Sequence, residues 1–468
     1  MLTISKTPCT KFLLWSALIF LIPSWFSCSK SGLDPTPIPS TSLTGITSVV
    51  LMQDTALVHA TAVTVGDSIL ITVPGTTNPN GLMPKISFGN GTTISPASGV
   101  SQDFTKPVTY TATLSNGTAK TYVIKVILDK LRNIVYAGSS SGKFFALDAI
   151  TGRKIWAGFT GGDFSYSSPC MANGIIYAGN INGNMYAYNA ALGNVIWTYK
   201  AGSSIESSPA VSGNNVYFGS DDHYFYSVNA LTGALNWKFQ AGFNVGSSPL
   251  VYNGTVFFGS DDKTFYALDA ISGSVKWTLV TTSQLNASSP VQLNGIVYIG
   301  NRDGNFFALD AATGEQKWVF SSNGISFEMA RPVIVNGVIY VSSWYNVNNF
   351  SIKGKLYALD AVTGTQVWTS LSDIGFTSGP AVADNEVYIC GDDGNIYAVA
   401  QSSGETLWAN SIHPNGAIPT VKDGTIYVGG GGNTFFYALD DISGAIKWTY
   451  PASGMNISRP YVIDANGN

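Results

Sequence analysis

The chain has 468 residues, a net charge of −4, 11% charged residues and 12% aromatic residues. An average soluble domain carries roughly 25% charged residues, and disorder requires low hydrophobicity with high charge, so this aromatic, weakly charged composition excludes a disordered protein. The 50 glycines follow no three-residue period, which excludes collagen, and the slightly acidic balance argues against nucleic acid as a partner. So few charges favour binding over acid–base catalysis.

Residues 1–28 are predicted to be a targeting segment rather than part of the fold. Lys6 and Lys11 precede the apolar run 12–22, which is shorter than the roughly 20 residues that span a bilayer. The end of the run resembles a bacterial lipoprotein processing site, which implies that Cys28 becomes the lipidated first residue. Because Trp25 and Phe26 depart from the usual motif, ordinary signal cleavage and an uncleaved anchor remain alternatives.

The sequence has four cysteines, and their spacing predicts no metal site. Cys9 belongs to the targeting segment and Cys28 to the lipid site. We expect Cys170 and Cys390 to be small buried apolar residues, with a disulfide as the alternative for an exported chain.

Residues 29–43 are rich in Pro, Ser and Thr and read as an extended linker. Residues 44–128 contain short alternating strands separated by turn signals, which predicts a small Ig-like β-sandwich. The segments 94–99, 103–104, 107–110 and 122–126 resemble Ig-like modules of Bacteroidetes surface lipoproteins. A spacer and a ligand-binding module are both open for this domain.

Internal repeats fill residues 129–468. A Trp closes each repeat, and consecutive copies are 40 or 41 residues apart except for 50 between Trp318 and Trp368. Each repeat holds four short β-runs, which predicts an all-β, eight-bladed β-propeller. The closing residues are Trp156, Trp197, Trp237, Trp277, Trp318, Trp368, Trp408 and Trp448.

The two ends of the repeat region complement each other. The region starts with a second run at 134–138 and ends with a first run at 458–463. We therefore predict that the C-terminal strand completes the first blade and closes the ring.

The pattern A-x-T-G-x-x-x-W at 149–156, with the SSP and YALDA segments of other repeats, resembles the PQQ-type propeller repeat. That family includes quinoprotein alcohol dehydrogenases and the BamB lipoproteins of the outer-membrane barrel-assembly machine. The resemblance implies that the eight closing Trp residues dock adjacent blades.

Two sets of loops are predicted to lie on one face of the propeller, where a channel opens. They are the connections from the fourth strand of one repeat to the first strand of the next, and the turns between the second and third strands of each repeat. Arg331 and Arg459 stand where other repeats have Ser before Pro, and a charge there requires a partner or ligand. A solvated rim and a structural Arg–Glu pair are the alternatives. The candidate binding residues at this mouth are Tyr166, Glu206, Asn244, Asn286, Glu328, Arg331, His413 and Arg459.

The extra residues of the sixth repeat fall in its second-to-third turn, between Ser342 and Lys353. Trp344, Tyr345 and Phe350 on this predicted loop suit sugar stacking or a protein contact, and packing back onto the propeller is the alternative. Paired carboxylates such as Asp221-Asp222 are predicted to serve turn formation rather than Ca²⁺ binding.

These features predict a non-catalytic, lipid-anchored scaffold or ligand-binding propeller of the cell envelope. We expect an outer-membrane anchor, a monomer, an envelope protein or glycan as partner, and no cofactor or metal. The alternatives are a PQQ- and Ca²⁺-dependent quinoprotein dehydrogenase and a surface glycan-binding protein. The sequence has no adjacent Cys pair, which those dehydrogenases usually carry.

Overall fold

The computed structural model describes residues 46–464 and 467, apart from 54–55, 59, 66, 75–78, 90, 130, 286–287, 349–350, 415, 432–434 and 453–457. The predictions for Cys28, Asn286, Phe350 and the linker 29–43 lie outside these residues. The regular elements of the described part are all β-strands. In that part of the chain, no helix has the length and apolar character needed to cross a bilayer.

The N-terminal strands form two sheets around one core. One sheet has the order β2-β1-β5-β7 and the other β3-β4-β9-β8-β6; Leu51 and Ile86 of the first pack with Ile71 and Tyr110 of the second. The strands are β1 (Ile46–Gln53), β2 (Ala56–Leu57), β3 (Thr61–Val65), β4 (Ser68–Pro74), β5 (Asn80–Phe88), β6 (Thr93–Ser95), β7 (Gln102–Asp103), β8 (Val108–Thr113) and β9 (Ala119–Asp129).

The repeat region forms a β-propeller whose sheets we number in chain order. Sheet 1 contains β10 (Ile134–Gly138), β11 (Lys143–Asp148) and β12 (Lys154–Phe159), and sheet 2 contains β13 (Cys170–Ala172), β14 (Ile175–Gly179), β15 (Asn184–Asn189) and β16 (Val195–Lys200). Sheet 3 contains β17 (Ala210–Ser212), β18 (Asn215–Gly219), β19 (Tyr224–Asn229) and β20 (Leu235–Gln240), and sheet 4 contains β21 (Leu250–Tyr252), β22 (Thr255–Gly259), β23 (Thr264–Asp269) and β24 (Val275–Val280).

The remaining sheets repeat this plan. Sheet 5 contains β25 (Val291–Leu293), β26 (Ile296–Gly300), β27 (Asn305–Asp310) and β28 (Gln316–Ser321), and sheet 6 contains β29 (Val333–Val335), β30 (Val338–Asn348), β31 (Ser351–Asp360) and β32 (Gln366–Ser370). Sheet 7 contains β33 (Ala381–Ala383), β34 (Glu386–Cys390), β35 (Asn395–Ala400) and β36 (Thr406–Ser411), and sheet 8 contains β37 (Thr420–Lys422), β38 (Thr425–Gly429), β39 (Phe435–Asp440) and β40 (Ile446–Pro451).

The last strand, β41 (Tyr461–Ile463), joins the first sheet, whose order is β12-β11-β10-β41. Its register pairs Tyr461 with Tyr136 and Ile463 with Ile134. The pairing predicted for the C-terminal strand is therefore confirmed, and each of the eight repeat sheets has four strands.

Burial differs by strand position within a sheet. Every residue of β10 and β14 is buried, whereas β16 is exposed at alternate positions while Trp197 is buried. The second strands lie between neighbouring sheets, so both of their faces are apolar, and the fourth strand has one face in solvent.

Each closing Trp contacts the next sheet in the same way. Trp156 donates its indole N–H to the main-chain oxygen of Ala190 over 2.9 Å, and its ring covers Gly193, whose φ is +73°. A Cβ on Gly193 would lie 2.4 Å from that ring, so the motif needs Gly for both conformation and space. The eight acceptors, in chain order of the Trp donors, are Ala190, Ala230, Ala270, Ala311, Ala361, Gln401, Asp441 and Ala149.

The two-residue turns between first and second strands have the predicted geometry. Asn253 and Gly254 have φ of 45° and 67°, as a type I′ hairpin requires. Cys170 in β13 and Cys390 in β34 are free thiols, and burial raises the pKa of Cys170 to about 12.

Candidate functional site

The connections between sheets and the second-to-third turns lie on one face, which we call the mouth face. The amide of Ile181 donates to the oxygen of Asp163 over 3.0 Å, and the amide of Asp221 donates to the oxygen of Ser204 over 2.9 Å. These bonds join each connection to the turn of the sheet that follows, so side chains of both loop sets share one surface.

Arg331 crosses the space enclosed by the inner strands. Its Nη1 lies 3.4 Å from Ser168 Oγ and 3.3 Å from Ser208 Oγ. Its Nη2 lies 3.3 Å from the main-chain oxygen of Tyr166. Arg331 precedes sheet 6, whereas these acceptors precede sheets 2 and 3. The side chain therefore reaches across the ring instead of to a neighbouring sheet.

Arg459, before the inner strand of sheet 1, is the second cation of this space. Its Nε donates to Thr420 Oγ1 over 3.3 Å. Burial and the charge of Arg459 lower the pKa of Arg331 to about 10, and burial lowers the pKa of Arg459. The two like charges thus lie close enough to interact.

The structural Arg–Glu pair considered for Arg331 is not found among the described residues, where no ion pair includes Arg331 or Arg459. Glu328 Oε2 lies 3.6 Å from Nε of Arg302 instead. Arg302 comes from the second-to-third turn of sheet 5, which brings it closer to Glu328 than the axial Arg331. Burial raises the pKa of Glu328, and the charge of Arg302 opposes that shift.

Glu206 is half-buried among other acids. Burial raises the pKa of Glu206, and the charges of Asp221, Asp163 and Asp261 add to the effect. Tyr166 is 51% exposed; burial of its remainder and the charge of Glu206 raise its pKa. Glu206 and Tyr166 therefore share one partly acidic sector of the mouth face.

Two other predicted residues take main-chain roles at the rim. The oxygen of Asn244 accepts from the amide of Asp261 over 3.0 Å and from Ser260 Oγ over 3.0 Å. His413 is exposed with φ of +51°, and its oxygen accepts from the amide of Gly431 over 2.7 Å. Among the described residues, no hydrogen bond or ion pair joins either residue to Arg331 or Arg459.

The insertion of sheet 6 differs from the loop predicted for it. The strands β30 and β31 simply continue through it, and Tyr345 pairs with Lys353. Trp344 and Ser326 exchange two main-chain hydrogen bonds of 2.9 and 3.0 Å, so the hairpin lies against the connection that carries Glu328. Both aromatic side chains are half-buried, and the Trp344 Nε1 is enclosed without a partner among the described residues.

The second carboxylate of a pair in these turns, here Asp222, accepts hydrogen bonds from its own hairpin and from the preceding connection. Asp222 Oδ2 accepts from Gly202 N and from the Tyr226 hydroxyl, each over 2.6 Å, and its Oδ1 accepts from Tyr224 N over 3.0 Å. Within the described ranges, no three His, Cys, Asp or Glu side chains cluster as a metal site would require.

Sequence reasoning missed the neutral partners of the two arginines, Ser168, Ser208 and Thr420. Their signal was present in the alignment of the repeats, because Ser168 and Ser208 precede Pro at the position that Arg331 occupies in its own repeat. The crossing of the ring could not be read from spacing.

Two family models match the chain. The model described as "Outer membrane protein assembly factor BamB" matches residues 108–238, 182–353 and 352–462. The model described as "SGBP, N-terminal" matches residues 46–126. No curated protein matches the chain by sequence.

Solved structures with similar folds include BamB and two dehydrogenases. BamB from Moraxella catarrhalis is 22% identical with a TM-score of 0.53, over 62% of this chain and 87% of its own. A quinohemoprotein alcohol dehydrogenase from Pseudomonas putida HK5 is 17% identical with a TM-score of 0.52, over 66% of this chain and 69% of its own. A europium-containing methanol dehydrogenase is 13% identical with a TM-score of 0.54, over 64% of this chain and 81% of its own. At these identities the likeness concerns the fold alone.

Proposed function

The chain belongs to the family of the outer membrane protein assembly factor BamB, and from this premise we propose that it is a non-catalytic interaction scaffold of the cell envelope. In this proposal the eight sheets are the blades of one closed ring. Cys28 carries a lipid that holds the protein at the outer membrane, facing the periplasm or the cell surface. Its partner is an envelope protein.

The observation that carries the proposal is the type of apolar side chain exposed on the mouth face, which includes aromatic residues and Met, whereas the third-to-fourth turns of the opposite face expose aliphatic residues such as Ile271 and Val362. Tyr166 is 51% exposed, Phe243 48%, Ile181 41% and Met329 37%. Aromatic residues, Met and Arg are the side chains enriched in protein interfaces. These exposed side chains surround Arg331 and Arg459, and together they support the mouth face as the surface that contacts the partner.

A second candidate is glycan binding, which the match of residues 46–126 to the SGBP N-terminal model favours. For the propeller, the half-buried Trp344 offers less ring surface for sugar stacking than an exposed loop would. A glycan array with the full chain tests this candidate. Binding that Trp344→Ala abolishes would assign sugar recognition to the sheet 6 hairpin.

Co-purification from membranes tests the scaffold. The double variant Tyr166→Asp/Met329→Asp places charges on the mouth face, and Ile271→Asp/Val362→Asp does the same on third-to-fourth turns of the opposite face, where the two residues are 83% and 81% exposed. We expect a membrane protein that is enriched with the wild type and the second variant and lost with the first. Failure to enrich a membrane protein, or equal enrichment with both variants, would contradict the proposal.

The enzyme alternative has its own measurement. Titration with PQQ and Ca²⁺, followed by absorbance and dye-coupled turnover, should give no turnover. Saturable binding with turnover would replace the scaffold by a quinoprotein dehydrogenase.

A further inference from the structure

One position of the repeat lines the enclosed space in every sheet. It is the residue before the Pro that leads into each inner strand. In sheet order from sheet 1 it is occupied by Arg459, Ser168, Ser208, Ser248, Ser289, Arg331, Gly379 and Ile418.

Neighbouring members of this ring contact one another. The amide of Ser168 donates to Ser208 Oγ over 2.9 Å, and the amide of Ser208 donates to Ser248 Oγ over 3.0 Å. A Cβ on Gly379 would lie 2.5 Å from the oxygen of Arg331. Six of the eight positions are thus small or uncharged, and both charges are positive.

The cations lack a counter-charge from the described protein. The contacts of Arg331 are three neutral oxygens at 3.3–3.4 Å, and that of Arg459 is the Thr420 hydroxyl. Charge-assisted hydrogen bonds to carboxylate or phosphate are shorter, at about 2.7–2.9 Å. Two enclosed guanidinium groups without an anion are costly, yet both retain partial solvent access, which leaves a path for a small ligand.

Ser289 differs from the other serines at this position. Its Oγ is enclosed and has no hydrogen-bond partner among the described residues. The Ser289 amide donates to the oxygen of Ala330 over 3.0 Å, so Ser289 lies beside the main chain of Arg331, on the side of the ring opposite the Arg331 guanidinium at Ser168 and Ser208.

We propose that the enclosed space between Arg331 and Arg459 binds a phosphate group, held by both guanidinium groups. A phosphate carries about 1.5 to 2 negative charges at neutral pH, which balances the two cations. Its oxygens accept from both guanidinium groups at once. The site lies inside the ring, so it is separate from the exposed surface proposed for a protein partner.

Titration calorimetry of the full chain with sodium phosphate, at ionic strength held constant with NaCl, tests this site. We expect saturable binding that Arg331→Met and Arg459→Met each weaken by roughly tenfold or more and that Ser289→Ala leaves unchanged. Arg153→Met is the matched control, because Arg153 is exposed in a third-to-fourth turn away from the mouth face and should leave binding unchanged.

The ligand-free variants give an independent readout. Because Met removes an uncompensated charge while keeping most of the unbranched apolar chain, the Tm of Arg331→Met without phosphate should equal or exceed that of the wild type. Should Arg331→Met fail to fold, Arg459→Met decides by the same criterion. No saturable binding, or equal affinity in the wild type and all arginine variants, would overturn the proposal.

Glycerol phosphate distinguishes two sources of the group. Tighter binding than inorganic phosphate supports a phosphate monoester as the ligand, and equal or weaker binding supports free phosphate. Binding of neither overturns the site.

Discussion

The indole N–H of Trp448 donates to the main-chain oxygen of Ala149 over 3.1 Å, although 299 positions separate the two residues. The Tyr427 hydroxyl donates to the same oxygen over 3.1 Å. The last complete repeat thus contacts the first through the contact that joins every other neighbouring pair. Closure relies on this contact as well as on the β41 strand.

Trp448→Ala should destabilise the protein as much as Trp237→Ala, because both indoles dock one sheet onto the next. We expect a loss of about 3–5 kcal/mol in the free energy of unfolding for each, measured by chemical denaturation. A large loss for Trp237→Ala with none for Trp448→Ala would show that the ring is open at this junction.

Deletion of 458–468 should lower the Tm. It removes β41 and the Ser458 Oγ that accepts from the Gly138 amide over 2.9 Å, and so leaves the buried β10 as an unpaired edge. Such an edge also promotes association, which size-exclusion chromatography would detect. Removal of 467–468 alone is the control, and an unchanged Tm in the longer deletion would contradict closure by β41.

Gly379→Ala should destabilise the mouth of the channel. The added Cβ would lie 2.5 Å from the oxygen and 2.6 Å from the Cβ of Arg331, an overpacking that costs about 1–3 kcal/mol. Gly158→Ala, where a Cβ meets nothing within 4 Å, is the matched control. Equal stability of both variants would mean that the Arg331 backbone moves freely.

Glu206→Gln should stabilise the protein at neutral pH. Because the folded state raises the pKa of Glu206, it binds the proton more tightly than the unfolded chain, so stability falls as pH rises above the ordinary Glu value. The gain from Gln should therefore shrink on acidification, as measured by denaturation at several pH values. Glu405→Gln, at an exposed site, controls for the loss of one charge, and a gain independent of pH would refute the assignment.

Most of the propeller could be predicted from local signals in the sequence. The spacing of the Trp residues and the Gly four positions before each of them mark sheet contacts that are the same in every repeat. Asn253-Gly254 marks a turn whose geometry depends on two residues. The strand β5 gives a weak sequence signal because it contains Pro84, which pairs with Leu51 despite lacking an amide hydrogen. Proline lowers the strand signal wherever it occurs.

The partners of Arg331 could not be predicted in the same way. Its departure from the Ser of other repeats identified it as a candidate, but the choice between Glu328 and the opposite side of the ring depends on side-chain direction. Arg302, which forms the ion pair with Glu328, lies in a turn whose residues indicate only a hairpin connection. Contacts across a ring join residues more than 100 positions apart, and repeat spacing does not encode them.

A propeller built from near-identical sheets looks nearly the same after rotation by one sheet. A partner could therefore bind it in several equivalent orientations. Arg331 precedes sheet 6 and Arg459 precedes sheet 1, so the two arginines are not evenly spaced around the ring. The long hairpin of β30 and β31 extends from sheet 6. These features break the rotational symmetry, so a partner or ligand that reads them can engage the ring in one azimuth only. The orientation of a bound partner or ligand on the ring would thus be specified by three departures from the repeat, while the repeat itself supplies the rigid frame.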